Sequence, residues 1–132
     1  MSKAATATKT TAESRLLYEV IREIGKYGAV YRTNAGAALL PNGQTFRGLP
    51  AGFADCMAIL PGGKACFVEV KVKPNKPTKQ QLVFIGKMQR LGCRAGVAYS
   101  VEDALKICGL PTGKEGEPPP WELLYPPCEY KK

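Results

Sequence analysis

No histidine occurs among the 132 residues. Its absence removes Ser-His-Asp triads, Cys-His nucleophile pairs, imidazole proton shuttles and His-ligated zinc. An enzyme built from this chain would work with carboxylates, lysines, thiols or a hard metal ion. Acids are scarce too: 11 Asp and Glu stand against 19 Lys and Arg, a net charge of +8. That balance favours an acidic partner, most commonly nucleic acid. Charge alone fits a basic protein without such a partner equally well. No apolar run is long enough to span a membrane, and no apolar signal region stands at the N-terminus, so a cytoplasmic protein is expected. Cys56, Cys66, Cys93, Cys108 and Cys128 lack C-x-x-C spacing and are odd in number, which speaks against a zinc cluster or a disulfide framework. Reduced, mostly buried thiols are expected instead.

What is present is a chain with 45% hydrophobic residues, long enough for one domain with a modest core. Residues 1–9 read as a flexible tail, 10–109 as the domain, and 110–132 as a Pro-rich extension that wraps the domain, meets a partner or lies extended. Thr10 and Glu13 have capping-box spacing ahead of a helix carrying Leu16, Leu17, Val20, Ile21 and Ile24. Residues 29–32 read as a strand. Residues 33–51 show no clear period and read as a long functional or mobile loop. Strands at about 53–60 and 65–73 form a hairpin across Pro61-Gly62-Gly63-Lys64. Thr78 and Gln81 repeat the capping-box spacing before a helix that Gly92 stops. Residues 94–99 form a strand, and Ser100 caps a short last helix. The order is α-β-β-β-α-β-α, a mixed central sheet flanked by helices.

The stretch "GFADCMAILPGGKACFVEVKVK" places Asp55, Glu69 and Lys71 within apolar runs. Each alone suits a solvated face with surface ion pairs. Embedded together in what otherwise reads as a buried strand, they point to a site. Faces alternate along a strand, so Phe67, Glu69 and Lys71 share one side. Asp55 joins them only if the hairpin loop is odd in length or bulged. A three- or five-residue loop puts Asp55 opposite Lys71 and diagonal to Glu69, roughly 7–8 Å apart at the backbone. Two carboxylates held that close repel, and a hard cation relieves the repulsion. Glu13 and Gln81 also fall on the inward stripes of their helices, whereas Glu19 and Glu23 fall outside. Capping accounts for both inward residues as well as a site role does. Acids pointing to opposite sides of the sheet, or an arginine or lysine filling the ion position, would sink the hydrolytic reading.

"G-x-x-D", then "V-E-V-K", then "T-x-x-Q" opening a helix resembles the PD-(D/E)XK nuclease superfamily. Within it, the chain is similar to a stand-alone VRR-NUC domain from about Glu13 to Leu105, including "RTNAG", "FVEVK", "KPTKQQ" and "LGCRAGVAYSVEDAL". Ala54 stands where similar sequences often carry proline. The resemblance implies a restriction-endonuclease-like αβββαβ core. It implies Mg²⁺ or Mn²⁺ bound by Asp55, Glu69, the Val70 carbonyl and Glu13. Lys71 would orient and help deprotonate the attacking water or stabilise phosphate charge, and Gln81 would brace Lys71 or that water. It also implies kinship with structure-selective nucleases and with Holliday-junction resolvases, which act as homodimers.

A divalent ion activates water, polarises the phosphoryl oxygen and assists the leaving oxygen without histidine. Arg32, Arg47, Lys73, Lys76, Lys79, Lys87 and Arg90 cluster near the site in sequence and suit backbone binding, although each alone reads as a solvated charge. The expectation is a metal-dependent DNA endonuclease selective for four-way or branched DNA. The alternatives are an inactive DNA-binding module of the same fold, or an adaptor acting through its Pro-rich tail.

Overall fold

Hydroxyl caps set where the helices begin. The computed structural model describes residues 9–33 and 37–112, without the side chains of residues 37, 38 and 47. Residues 1–8 of the expected tail, 34–36 of the "RTNAG" stretch, 113–132 of the Pro-rich extension and the side chain of Arg47 lie outside the described residues. Helix α1 (Thr11–Ile24) starts where the Thr10 hydroxyl accepts from the Glu13 N–H at 3.1 Å, while the Glu13 carboxylate accepts from the Thr10 N–H at 3.3 Å. Glu13, Leu17, Val20 and Ile24 are buried, and Glu19 is exposed.

Strand β1 (Ala29–Arg32) is followed by β2 (Ala37–Leu39) and β3 (Thr45–Arg47), then β4 (Cys56–Leu60) and β5 (Lys64–Val70). Helix α2 (Lys79–Arg90) repeats the reciprocal cap between Thr78 and Gln81, at 3.2 and 2.8 Å. Strand β6 (Arg94–Ala98) and helix α3 (Val101–Ile107) complete the described chain, with the Ser100 hydroxyl accepting from the Asp103 N–H at 3.0 Å.

The main sheet runs β1-β4-β5-β6, antiparallel except for the parallel β5–β6 pair. α1 and α3 cover one face and α2 the other, so the sheet separates two cores. The larger core unites Leu17, Val20 and Ile24 with Cys56, Ala58, Cys66, Val68 and Val70, and with Ala104, Leu105 and Cys108. The second joins Ala54, Phe67, Ile85 and Ala95, with Phe53, Met57, Phe84 and Met88 against them. This mixed α/β sandwich is the expected restriction-endonuclease-like architecture. The four described cysteines are free, and all but Cys93 are buried. No helix among the described residues is long and apolar enough to cross a membrane.

Two expectations are corrected. Residues 37–47 are not a featureless loop: β2 and β3 pair antiparallel around Pro41-Asn42-Gly43, with Gly43 at φ +84°. Among the described elements they contact only one another, and Leu39, Leu40 and Phe46 are exposed. The β4–β5 turn is odd in length, Pro61-Gly62-Gly63, but is centred one residue earlier than expected, with Leu60 opposite Lys64. One step beyond the last ladder pair, Cys56 with Val68, Asp55 therefore stands opposite Glu69 rather than Lys71. The left-handed glycines Gly62 and Gly63, at φ +87° and +76°, set that register.

Gly52 carries the approach to β4. It sits at φ +90°, and a Cβ there would meet the Gln80 carbonyl oxygen at 2.7 Å. Gly62 has a similar φ with nothing within 4 Å of such a Cβ. Gly62→Ala is expected to cost about 1 kcal/mol, the left-handed penalty alone. Gly52→Ala should cost about 2 kcal/mol or more, read as a lower urea midpoint at unchanged slope. Equal losses would show that the approach to Gln80 contributes nothing.

Candidate metal centre

Buried polar groups from α1, α2 and the end of β5 gather here. Glu69 is 1% exposed, Glu13 3%, Lys71 6% and Gln81 8%, whereas the other buried side chains among the described residues are apolar. Burying such groups is costly unless each finds a partner.

Asp55 is held from several sides. Its backbone carbonyl accepts from the Thr33 N–H at 2.9 Å, and the Thr33 hydroxyl donates to the Ala54 carbonyl. Phe53, two residues earlier, packs on Phe84 with ring centroids 4.4 Å apart and on Phe67 at 5.8 Å. The carboxylate Oδ2 accepts from the Val70 N–H at 2.8 Å. Glu69 Oε1 accepts from Gln81 Nε2 at 2.8 Å and lies 3.8 Å from Lys71 Nζ. Gln81 thus braces Glu69. Its other side-chain atom, Oε1, is engaged by the Thr78 N–H, so the amide spans cap and carboxylate. Glu13 points inward as its phasing predicts. Its Oε1 accepts from the Thr10 N–H and hydroxyl and from Asn75 Nδ2 at 3.1 Å.

The point where these groups converge holds a cation belonging to the chain. Lys9, the last residue of the expected tail, places Nζ 2.7 Å from Asp55 Oδ2 and 2.9 Å from Glu69 Oε1. The same ammonium donates to the Val70 carbonyl and lies 3.7 Å from Glu13 Oε2. These four oxygens are the ones that the family resemblance assigns to a divalent ion. The structure therefore meets one of the adverse conditions set by the sequence analysis: a lysine stands in the ion position.

The surroundings still fit a divalent ion. Glu13 Oε2 and Glu69 Oε2 are buried with no hydrogen-bond partner among the described residues. Three carboxylates, Glu13, Asp55 and Glu69, face two ammoniums, Lys9 and Lys71, which leaves an excess of negative charge when all are ionised. Among the described residues no three His, Cys, Asp or Glu side chains form a metal cage by themselves. The donor set is two close carboxylates and a backbone carbonyl, with Glu13 farther off. Mg²⁺ accepts such partial sets because it keeps several waters.

Burial pushes the Glu69 carboxyl up to about 7, and the neighbouring Asp55 charge pushes the same way, with Lys9 and Lys71 opposing. Burial pulls Lys9 down, but its hydrogen bonds to Asp55 and Glu69 outweigh this and raise it. Glu13 is lowered although burial acts to raise it, because Thr10, the Lys9 charge and Asn75 favour its ionised form. Lys9 and Glu69 move the same way for different reasons: the lysine gains two anionic partners, whereas the glutamate is buried and meets a second negative charge.

Sequence reasoning missed Lys9, Asn75 and Thr33. Asn75 lay in a segment read only as a break, and Lys9 in a segment read only as tail. Of the proposed DNA-contacting residues, Arg32, Lys73, Lys76, Lys79, Lys87 and Arg90 are exposed. Among the described residues none of them makes an ion pair. Lys73, Lys76 and Lys79 follow β5 closely. Lys87 and Arg90 lie in the last turn of α2, a helix about 18 Å long, where they also complement the helix dipole.

Comparison with known proteins settles the fold. A solved structure described as a VRR_NUC domain matches with a TM-score of 0.55 and 25% identity, covering 76% of this chain and 97% of the other. Over that span the chain is similar to a VRR-NUC domain. No family model matches the chain, and neither does any curated protein. The VRR-NUC likeness extends over most of the α/β sandwich that holds Asp55, Glu69 and Lys71.

Glu69 also makes stability depend on pH. Its folded value lies above the ordinary 4.5, so its contribution is fully present below 4.5 and is lost as pH rises through about 7. In EDTA, the urea midpoint should fall between pH 4.5 and 7.5, and Glu69→Gln should flatten that slope. A wild-type midpoint that is constant or rising across this window would contradict the assignment.

Proposed function

We propose that this chain is a metal-dependent DNA endonuclease. The observation that carries the reading is the convergence of Asp55, Glu69 and the Val70 carbonyl on one cation position inside a nuclease-family fold. Asp55, Glu69 and the Val70 carbonyl would hold Mg²⁺ or Mn²⁺, with Glu13 at the far side. Bound there, the ion supplies Lewis acidity toward a phosphoryl oxygen and a nucleophilic water at neutral pH.

The remaining tasks fall to the chain. Gln81 fixes the Glu69 carboxylate by donating to Oε1, the same oxygen that meets the cation position. The Val70 N–H does the same for Asp55. Lys71, buried 3.8 Å from Glu69 Oε1, keeps a positive charge or a transferable proton beside the reacting phosphate. The exposed cations Lys73, Lys76 and Lys79 beside the centre bind the DNA backbone, which makes affinity fall steeply with salt. No element suits base reading, so selection rests on DNA shape, with four-way or branched DNA the favoured substrate. Symmetric cuts across a junction require two copies, and a homodimer satisfies this.

A DNA-binding module without hydrolysis is the second reading. It is favoured by the Lys9 ammonium in the ion position.

Supercoiled plasmid, linear duplex and a four-way junction, each incubated with Mg²⁺ or EDTA, separate the two. Cleavage should require Mg²⁺ and fall about 100-fold or more in Asp55→Ala, Glu69→Ala and Lys71→Ala. Binding of the junction without cleavage at any Mg²⁺ or Mn²⁺ concentration would establish the module instead. Glu13→Gln should reduce the rate more than Glu19→Gln, since only Glu13 faces the centre. Equal losses would remove Glu13 from it.

A further inference from the structure

Lys9 lies immediately before the N-cap of α1. Its ammonium has three N–H donors. Asp55 Oδ2, Glu69 Oε1 and the Val70 carbonyl take all three. Glu13 Oε2 is left at 3.7 Å, and among the described residues neither it nor Glu69 Oε2 has a hydrogen-bond donor. A monovalent group with three short bonds thus fills a cradle that offers more oxygen than it can use. A six-coordinate divalent ion carries twice the charge and accepts oxygens that the ammonium leaves unpartnered.

The ammonium and a divalent ion cannot share the cradle, because both need the same carboxylate oxygens at contact distance. Lys9 can leave without disturbing α1. The helix is capped by Thr10 and Glu13, and neither bond of that cap uses Lys9. Its four-carbon stem is flexible and its charge is readily rehydrated.

We infer that Lys9 is a tethered competitor for the divalent ion. It holds the cradle shut and electrostatically balanced when metal is scarce, and it must be expelled before metal binds. This rests on the reading of the cradle as a metal centre. Lys9 thereby sets the metal concentration at which the centre loads, and it keeps Asp55 and Glu69 from repelling each other in the meantime. It is a positioning residue of the unloaded state, not a catalytic one.

The inference is tested on the full chain by titrating Mn²⁺ and reading the free ion by electron paramagnetic resonance. Lys9→Met should bind Mn²⁺ roughly tenfold more tightly than wild type or better, since no ammonium has to be displaced. Lys9→Met should also melt lower in EDTA and gain more in Tm from Mn²⁺. A second measurement uses wild type alone: reductive methylation of Lys9, followed by peptide mass spectrometry, should be slow in EDTA and faster in saturating Mn²⁺. This decides the matter if Lys9→Met does not fold. If both proteins bind Mn²⁺ with equal affinity, or if Lys9 stays protected in saturating Mn²⁺, the competitor is disproved and the metal centre stands. If neither protein binds Mn²⁺, the centre itself is wrong and the inference falls with it.

Discussion

Asp55 and Glu69 face each other at the end of an antiparallel pair, and like charges at that spacing repel unless a cation stands between them. Much of the local architecture serves to maintain that unfavourable arrangement. The three-residue turn brings the two acids into register. Gly52 lets the chain pass tightly over Gln80, and the Phe53, Phe67 and Phe84 rings clamp the approach to β4. Gln81 grips Glu69 from α2, and Val70 grips Asp55 through its backbone. The charge conflict is resolved locally by Lys9, with Lys71 close by. Replacing these groups with apolar ones of similar size would remove the conflict and leave a more ordinary strand.

The sheet explains how so much charge survives beside a core. Its α1–α3 face is apolar through Cys66, Val68 and Val70, and this face unites two helices and three strands. The opposite face needs less apolar area, because among the described helices only α2 covers it. Glu69 and Lys71 can therefore occupy its end without opening the larger core. The centre lies where β5 stops and the layers part. That position lets groups from the start of α1, the entry to β4 and the start of α2 reach one point.

The features legible in the sequence were those with local causes. Thr10 with Glu13, and Thr78 with Gln81, are three residues apart, so their caps and inward phasing follow from spacing alone. The parity of Asp55 with Glu69 followed from strand alternation. The register was missed by a shift of the turn centre by one residue, because either of two glycine placements closes an odd loop. Lys9 was illegible because its partners lie 46 and 60 residues away, and nothing in "ATKT" signals a destination. The β2–β3 hairpin did carry a signal, Asn42-Gly43 between apolar residues, which is a strong short-range turn marker. The strands on either side are three residues each, too short to register as a period.

That hairpin is spliced between β1 and β4, which are themselves neighbours in the sheet. The sheet closes across its base, through Arg32 opposite Cys56 and the Thr33 N–H on the Asp55 carbonyl. The acid therefore takes its position from the stem and owes nothing to the arm above it. The length, the exposed apolar side chains and the turn of that arm can vary while the position of Asp55 stays constant. Such an insertion is a place where a surface can change while Asp55 and Glu69 keep their geometry.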